Sequence, residues 1–257
     1  MSADDWNQHW SDYASSAELN PAQQYRFENI TQIIRSMKLY PTQIIDLGCG
    51  TGALLEVLQN EFPTAKLLGI EPSKTGFTLA SRRLPDVQIL KQDIISESVD
   101  NRNVCLGTIV VCSEVLEHLD DPLLLLRAIK KQFGMADAML IISVPGGVRS
   151  AYDVHIGHRR HFSRETLESV MSQGGLSEIK IWRGGFPFFN IYKLITVMLG
   201  SRLISRPSPV SPKSTWFRNL SRLLTVCMRR SFRDSPFGWQ LFATASCSET
   251  LELESNG

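Results

Sequence analysis

Paired cysteines, long apolar runs and a strong net charge are all missing from this sequence. Its five cysteines are scattered and form no Cys-x-x-Cys pair, which excludes a disulfide framework and a cysteine zinc site. No stretch reaches the roughly eighteen uncharged apolar residues of a membrane-spanning helix, since Lys193 and Arg202 interrupt residues 184–204. The acidic start also lacks the basic flank and apolar run of a signal peptide. We therefore expect a soluble, cytoplasmic protein.

The overall composition is that of an ordinary globular protein. Of 257 residues, 43% are apolar and 21% are charged, which excludes the collagen-like, disordered and coiled-coil classes. The net charge of +1 conceals one asymmetry, because residues 180–233 carry eleven basic side chains and no acidic one. A single α/β domain with a distinct basic insertion fits both observations.

Short apolar runs alternate with amphipathic segments from residue 42 onward. This alternation predicts βαβ units and an α/β fold, with a Rossmann-like, doubly wound, mostly parallel seven-stranded sheet. An aromatic-bearing arm (Trp6, Trp10, Tyr13) and a helix begun by Asn20 and Pro21 precede the sheet. The predicted strands are 43–47, 66–70, 87–90, 106–112, 138–144, 178–182 and 239–245, and the predicted helices after them are 53–60, 74–83, 122–133 and 164–173.

A glycine-rich turn follows the first predicted strand. Gly48, Gly50 and Gly52 lie between that strand and its helix, where a tight turn must let a ligand approach the backbone. Glu71 and Asp93 follow the second and third strands, so three strand ends converge on one ligand. A carboxylate at the position of Glu71 can accept hydrogen bonds from both hydroxyls of a ribose, and Asp93 can meet an adenine amino group.

Asp46 distinguishes this turn from a dinucleotide-binding one. The glycines alone, with Ala53, also satisfy the permissive dinucleotide fingerprint. An acid two residues before Gly48 suits a cationic ligand better than a pyrophosphate. A turn that merely connects a strand to a helix remains the structural alternative.

The sequence Asp-Leu-Gly-Cys-Gly-Thr-Gly at 46–52, with Glu71 and the Asp93-Ile94 pair, resembles the class I S-adenosylmethionine-dependent methyltransferases, and in particular the ubiquinone-type O-methyltransferase and type 11, 12 and 23 groups. The resemblance implies that Asp46 lies near the methionine part of the cofactor and that residues 49–52 wrap it through their backbone. The cofactor-binding residues it implies are Asp46, Gly48, Cys49, Gly50, Thr51, Gly52, Glu71, Pro72, Asp93, Ile94, Ser113 and Glu114.

Glu114, Glu117 and His118 follow the fourth strand at a spacing that would place them on one face of a helical turn. The segment resembles that of ubiquinone-type and, more distantly, small-RNA 2′-O-methyltransferases, in which it is associated with a divalent metal. With His158, which lies four residues before Phe162, the resemblance gives a metal set of Glu114, Glu117, His118 and His158. Such ligands suit Mg²⁺, Mn²⁺, Fe²⁺ or Zn²⁺, but a metal is not the favoured interpretation.

His158, with help from His118, is instead the candidate catalytic base, because a histidine pKa near neutrality suits proton transfer. His155 and His161 are expected to be structural or solvent-facing. The neighbouring Arg159-Arg160 pair fits a solvated loop and recognition of an anionic acceptor equally well.

Residues 184–199 form an unusually apolar segment, inserted between two strands that a minimal methyltransferase joins by a short hairpin. Together with the arginines that follow, they fit a lid over the acceptor, which is favoured, or a homodimer surface, or an amphipathic element on anionic lipid. Nucleic acid is not favoured, because no RNA-binding motif accompanies the basic stretch.

The resemblance divides the chain into five expected parts. These are an N-terminal helical arm (1–40), an S-adenosylmethionine-binding core (41–183), a basic aromatic insertion (184–235), the last core strand (236–248) and an acidic tail (249–257). Residues 145–162 and the proline-rich stretch 207–212 are predicted to be loops.

The predicted activity is methyl transfer from S-adenosylmethionine to a small-molecule hydroxyl in a glycan, lipid-linked or natural-product pathway. N- or carboxyl-methylation on the same scaffold stays open. A nicotinamide-dependent oxidoreductase and a non-catalytic binding module are the alternatives from other classes, although no Tyr-x-x-x-Lys hydride-site pair follows the fourth strand.

Overall fold

A single seven-stranded sheet organises the computed structural model, which describes residues 6–17, 20–37, 40–98, 106–204, 215–231 and 233–248. Its strands are β1 (Gln43–Leu47), β2 (Lys66–Ile70), β3 (Gln88–Leu90), β4 (Thr108–Ser113), β5 (Met139–Pro145), β6 (Ser177–Gly184) and β7 (Gln240–Ser246). The helices are α1 (Trp6–Ala17), α2 (Pro21–Ser36), α3 (Ala53–Glu61), α4 (Lys74–Arg83), α5 (Pro122–Phe133), α6 (Ala151–His155), α7 (Arg164–Gln173), α8 (Phe188–Ile204) and α9 (Thr215–Arg229).

The strand order is β3-β2-β1-β4-β5-β7-β6. Strands β1 to β5 pair in parallel, and β7 runs antiparallel between β5 and β6. The order reverses at β1, which pairs with β2 on one side and β4 on the other. Ligands bind at the carboxyl ends of the strands at such a switch point. The predicted Rossmann-like, mostly parallel sheet is confirmed.

Helices cover both faces of the sheet, which is why all five residues of β1 are buried. On one face, α5 and α7 contribute Leu126, Phe133 and Met171 to the larger core cluster. On the other face, Ile30 of α2 and Leu58 of α3 pack on the sheet. Burial of these apolar side chains from both sides supplies the main driving force for the fold.

Capping residues set the helix boundaries near the predicted positions. The Asn20 side chain accepts a hydrogen bond from the N–H of Ala22, one residue after Pro21 begins α2. The loop prediction for residues 145–162 is wrong in part, because α6 lies within it. Ser150 and Asp153 form a reciprocal capping box that nucleates this short helix.

The insertion contributes α8 and α9 to the α2 side of the sheet. Phe189 is buried and stacks beside Tyr25, and the Tyr192 hydroxyl donates a hydrogen bond to Asn20. The outer face of α8 exposes apolar side chains, namely Phe188, Ile191, Leu194, Ile195 and Met198. In the part of the chain that the structure describes, no helix is long and apolar enough to cross a membrane. The predicted proline-rich loop at 207–212 and the acidic tail at 249–257 lie outside the described residues.

Candidate functional site

Glu71 holds the glycine-rich turn in place. It is buried, and its carboxylate accepts hydrogen bonds from the N–H of Gly50 at 2.9 Å and from the N–H and hydroxyl of Ser73 at 3.0 and 2.5 Å. The end of β2 is thereby joined to the loop after β1 and to the start of α4, where Ser73 is the N-cap. Glu71 therefore lies in the cleft bounded by the glycine turn, as the sequence predicts.

The three glycines of the turn, Gly48, Gly50 and Gly52, all have positive φ, which a residue with a Cβ rarely adopts. A side chain at position 50 would also clash with a neighbour, because its Cβ would lie 2.5 Å from the Trp10 ring. Thr51 and Cys49 are buried within the same loop. The turn is thus formed by backbone, with an indole ring against its outer side.

Asp46 is buried beneath the turn at 2% exposure. Burial, together with the nearby Glu71 carboxylate, raises its pKa from the ordinary 3.8 to about 8. A buried carboxylate of this kind is stabilised in its charged form by a nearby cation. The environment of Asp46 therefore matches the cationic ligand that the sequence predicts.

We expect Asp46→Asn to raise the thermal unfolding midpoint of the ligand-free protein by roughly 5 °C at about pH 8. Because the folded-state pKa lies above the unfolded one, only the unfolded chain ionises between the two values, and the native protein loses stability as the pH rises through that window. The gain should shrink as the pH falls toward about 4. Differential scanning calorimetry across this range, with the exposed Asp86→Asn as control, measures it. An equal gain at every pH would contradict the assignment.

Asp93 lies after β3, and its side chain makes local hydrogen bonds. One carboxylate oxygen accepts from the N–H of Ile95 at 3.0 Å and the other from the Ser96 hydroxyl at 3.2 Å. The next residue, Ile94, is buried and belongs to the main core cluster. The Asp93 carboxylate caps its own turn, and the role in adenine binding stays a prediction.

Glu114 lies at the end of β4, in a strained conformation. Its φ is 57°, a left-handed value that is uncommon for a residue with a side chain and that clusters at functional sites. Its carboxylate accepts a hydrogen bond from Gln240 at 2.9 Å and lies 3.6 Å from the Arg26 guanidinium. Ser143 is a further donor at 3.3 Å, and its hydroxyl is also paired with that of Ser113.

The prediction that Glu114, Glu117 and His118 share one helical face is wrong. Only Leu116–His118 form a helical turn, of the 3-10 type, and the left-handed backbone of Glu114 places it outside that turn. The structure instead groups Glu117, His118 and His158, whose ligand atoms all lie within 4.8 Å of one another. Three of the four predicted metal residues therefore come together, without Glu114.

Glu117 is the deepest member of this group and is fully buried. Neither of its carboxylate oxygens has a hydrogen-bond partner among the described residues. Burial, and then the neighbouring Glu114 carboxylate, raise its pKa well above the ordinary value. Nε2 of His118 lies 3.9 Å from one of these oxygens, which is too far for a hydrogen bond. Because a buried carboxylate without hydrogen bonds is costly, this position is suited to a proton or a cation.

His158 is a neutral histidine in a row of aromatic rings. Its ring centroid lies 4.7 Å from that of His118 and 5.4 Å from that of His161. Burial, with further contributions from His118 and Lys193, lowers its pKa to about 2. The value differs from the near-neutral pKa on which its assignment as a base rested, because the sequence does not reveal how deeply the ring is buried.

Asp153 supports the histidines from α6. Its carboxylate is hydrogen bonded to Ser150, pairs with the Lys193 ammonium of α8, and lies 3.9 Å from Nδ1 of His158 and 3.8 Å from Nε2 of His161. Asp153, His158 and His161 form a second group whose potential ligand atoms lie within 4.8 Å of one another, so the expected structural or solvent-facing role of His161 stays a prediction. Through Lys193 the insertion contacts Asp153, which lies just before the loop that carries His158 and His161; this loop is called the histidine loop.

Arg159 and Arg160 lie in the histidine loop, and protein atoms bind both of their guanidinium groups. Arg159 donates to the carbonyl of His118 and pairs with Asp120, and Arg160 donates to the carbonyls of Leu119 and Asp120. These contacts differ from a plain solvated loop, while the buried Nε of Arg160 has no hydrogen-bond partner among the described residues, so recognition of an anionic acceptor stays a prediction. The two arginines attach the histidine loop to residues 118–120.

The structure also places at the site side chains that have no predicted role there. Gln240 and Arg26 hold Glu114, Asp153 and Lys193 support the histidines, and Trp10 covers the glycine turn. All except Asp153 come from segments far from the motifs in sequence, so no local pattern could reveal them.

Comparison with known proteins agrees with this geometry. The family model described as "Methyltransferase domain" matches residues 21–180. A trans-aconitate 2-methyltransferase of Acidovorax sp. (strain JS42) is 33% identical over 81 residues, which are 29% of this chain and 31% of the relative. The chain thus spans between a fifth and a third of the length of the curated relatives it matches.

Two solved structures share the fold. The phosphoethanolamine N-methyltransferase 2 of Haemonchus contortus with S-adenosylmethionine has a TM-score of 0.55 at 15% identity, covering 85% of this chain and 52% of that one. The plantazolicin methyltransferase BpumL with S-adenosylhomocysteine has a TM-score of 0.54 at 16% identity, covering 93% and 87%. The chain therefore belongs to the methyltransferase-domain family.

Proposed function

We propose that this protein is an enzyme that transfers the methyl group of S-adenosylmethionine to a hydroxyl oxygen of a small-molecule acceptor in a glycan, lipid-linked or natural-product pathway. The observation that carries the proposal is the group of Glu117, His118 and His158, in which Glu117 and His118 come from the 3-10 turn after β4 and His158 from the loop after α6. Val115, between this group and β4, packs against Gly48. A hydroxyl acceptor must be oriented toward the methyl group, and the imidazole nitrogens of this group can accept its hydrogen bond near the cofactor loop.

The cofactor would be held by the residues at the three strand ends. Glu71 would bind the ribose and fix the glycine turn, Asp46 would face the cationic part, and Asp93 would meet the adenine. The sulfonium carries an activated methyl group, so the protein's main task is to align the acceptor oxygen, carbon and sulfur. His158 and His118 are proposed to accept a hydrogen bond from the acceptor hydroxyl and orient it.

The charges around the loop favour a hydroxyl over a carboxylate acceptor. A carboxylate needs no proton removal but does need positive groups to bind it. Arg159 and the Nη2 of Arg160 donate to residues 118–120, and Arg149 donates to the carbonyls of His158 and Arg159. Among these groups, the buried Nε of Arg160 has no partner within the described residues. Carboxyl methylation, which the name of the Acidovorax relative suggests, is therefore the second candidate.

Product chemistry separates these possibilities. The enzyme would be incubated with S-adenosylmethionine and matched acceptors that differ only in offering a hydroxyl, an amine or a carboxylate. Mass spectrometry then detects the added methyl group, and mild alkali cleaves methyl esters while leaving methyl ethers intact. We expect an alkali-stable product from the hydroxyl series. An alkali-labile product from the carboxylates alone would overturn the proposal in favour of carboxyl methylation.

The residues of the buried group also fit a divalent metal. The fully buried Glu117 carboxylate lacks hydrogen-bond partners among the described residues, and two imidazoles lie beside it. Carboxylate oxygen with imidazole nitrogen suits Mn²⁺, Fe²⁺ or Zn²⁺. We propose that Glu117, His118 and His158 would hold the ion, with Glu114 kept apart by Gln240 and Arg26. A bound metal would lower the pKa of the acceptor hydroxyl.

Glu117→Gln tests the metal separately from catalysis. We expect Mn²⁺ or Zn²⁺ to raise the unfolding temperature of the metal-free wild type by roughly 5 °C and that of the variant by less than about 1 °C. The metal-free variant should itself be more stable than the wild type, because a neutral amide replaces a carboxylate that is costly to bury. Thermal melts in chelator and in each metal measure both effects, with exposed Glu56→Gln as control. Equal metal shifts in both proteins would exclude Glu117 as a ligand.

The outer face of α8 is the proposed contact surface of the insertion. Ile191 and Met198 are 51% and 75% exposed on this face, and residues 180–233 carry no acidic side chain. A peripheral membrane contact and a homodimer both fit an exposed apolar face of this kind. Flotation with vesicles of anionic lipid and light scattering in solution distinguish the two.

A further inference from the structure

Helix α1 lies across the mouth of the site. The Trp6 ring meets the His118 ring edge to face at 4.7 Å, and Asn7 accepts a hydrogen bond from the N–H of Thr75 at the start of α4. One turn further along α1, Trp10 lies against Gly50. Helix α1 thus extends from His118 to the glycine turn and the start of α4.

The Trp10 ring is in close contact with the glycine turn. A Cβ built on Gly50 would approach two atoms of the benzene half of the indole at 2.5 and 2.7 Å and the ring carbon next to the nitrogen at 3.3 Å. The indole edge that carries the N–H is therefore close to the turn. Any ligand that approaches the Gly50 backbone from this side must contact Trp10.

The indole N–H of Trp10 is buried and has no hydrogen-bond partner among the described residues. Indole nitrogen can only donate, and buried donors in native structures nearly always have an acceptor. A phenylalanine would pack on the turn without this unpaired group. The position therefore indicates an acceptor that the described residues do not supply.

We propose that Trp10 is a cofactor-binding residue whose indole N–H donates a hydrogen bond to an oxygen of the bound cofactor, with α1 covering the cleft. The cofactor has two oxygen sources, the carboxylate of its amino acid part and its ribose hydroxyls. The inference rests on the proposed placement of the cofactor at the glycine turn. It adds a determinant from the N-terminal arm, which lies outside the matched segment 21–180.

Trp10→Phe removes the donor and keeps an aromatic ring. We expect its Kd for S-adenosylhomocysteine, measured by calorimetry, to rise about tenfold. The comparison with 5′-methylthioadenosine, which lacks the amino acid part, identifies the acceptor. If the cofactor carboxylate accepts the indole hydrogen bond, Trp10→Phe should not weaken the binding of 5′-methylthioadenosine. If a ribose hydroxyl accepts it, the variant should lose affinity for this ligand as well. Either pattern supports the proposal.

Trp6→Phe is the matched control in the same helix, because the Trp6 ring packs on the His118 ring, whereas the three atoms nearest to a Cβ on Gly50 all belong to Trp10. We expect it to bind S-adenosylhomocysteine within about twofold of the wild type. Equal losses in both variants would show a general effect of α1 packing and overturn the proposal. An unchanged affinity in Trp10→Phe would also overturn it.

Hydrogen exchange on the wild type gives a second measurement that needs no variant. Saturation with S-adenosylhomocysteine should slow amide exchange across α1, because the helix closes on the ligand through Trp10. Unchanged exchange in α1 alongside slowed exchange at the glycine turn would overturn this inference and leave the proposed cofactor placement intact. Unchanged exchange at both segments would overturn the placement itself.

Discussion

Replacing Glu71 with glutamine is expected to weaken the binding of S-adenosylmethionine and S-adenosylhomocysteine by at least about 100-fold. The native carboxylate accepts from two N–H groups and one hydroxyl, on Gly50 and Ser73. Glutamine has only one side-chain oxygen, so its NH₂ group must face one of these buried donors. The loss therefore combines an unsatisfied buried donor, a loosened turn and a weaker acceptor for the ribose.

Calorimetry with both ligands measures this loss, and Glu56→Gln supplies a control. Glu56 is an exposed carboxylate that pairs with Arg83 on the surface, so we expect its replacement to leave cofactor affinity unchanged. Circular dichroism establishes that the Glu71→Gln chain is folded. Affinity within about threefold of the wild type would mean that the cofactor is not held at this strand end.

Sequence periodicity predicts the sheet well because parallel strands buried on both faces appear as short continuous apolar runs. Strands β1 and β2 match the predicted ranges, and the other strands differ by one or two residues at their ends. The cofactor cleft is also predictable, since glycines and acids at consecutive strand ends must converge at a switch point. The Glu71 contact with Gly50 is of this kind.

The acceptor side is less predictable because its geometry depends on long-range contacts. Spacing alone places Glu114 beside Glu117 and His118, but Gln240 from β7 and Arg26 from α2 hold Glu114 elsewhere. The burial that lowers the pKa of His158 likewise comes from packed neighbours, not from adjacent residues. A left-handed φ at Glu114 leaves no trace in the sequence.

The short helix α6 shows an intermediate case. Its capping pair, Ser150 and Asp153, has the standard spacing and could have been recognised in the predicted loop. The use of the same Asp153 carboxylate by Lys193 of the insertion could not, because forty residues separate the two. One buried carboxylate thus joins the helix cap, the histidine loop and the insertion.

We expect Lys193→Met to cost about 3–5 kcal/mol of folding free energy at neutral pH, the usual cost of breaking a buried ion pair. The variant leaves the Asp153 carboxylate buried among Ser150, His158 and His161 without its counter-charge. Turnover should also fall, because the carboxylate next to the His158 ring changes its charge or its position. Chemical denaturation measures the free energy, with exposed Lys180→Met as control.

The pH dependence of this loss follows from Asp153. Burial raises its pKa, but Lys193 and the Ser150 hydrogen bonds outweigh that effect and hold the pKa below its ordinary value. The ion pair therefore stabilises the wild type above the unfolded-state pKa, and its contribution is lost as the pH falls through the folded one. The gap in stability between wild type and Lys193→Met should accordingly narrow as the pH falls below about 4.

A second substitution measures the contribution of the Asp153–Lys193 ion pair by itself. Asp153→Asn in the Lys193→Met background removes the uncompensated charge while keeping an acceptor for Ser150, so the double variant should be more stable than Lys193→Met alone. The coupling energy from the complete double-mutant cycle then reports the interaction between the two side chains. Additive losses would mean that the insertion and the histidine loop are stabilised independently, with no energetic link through Asp153.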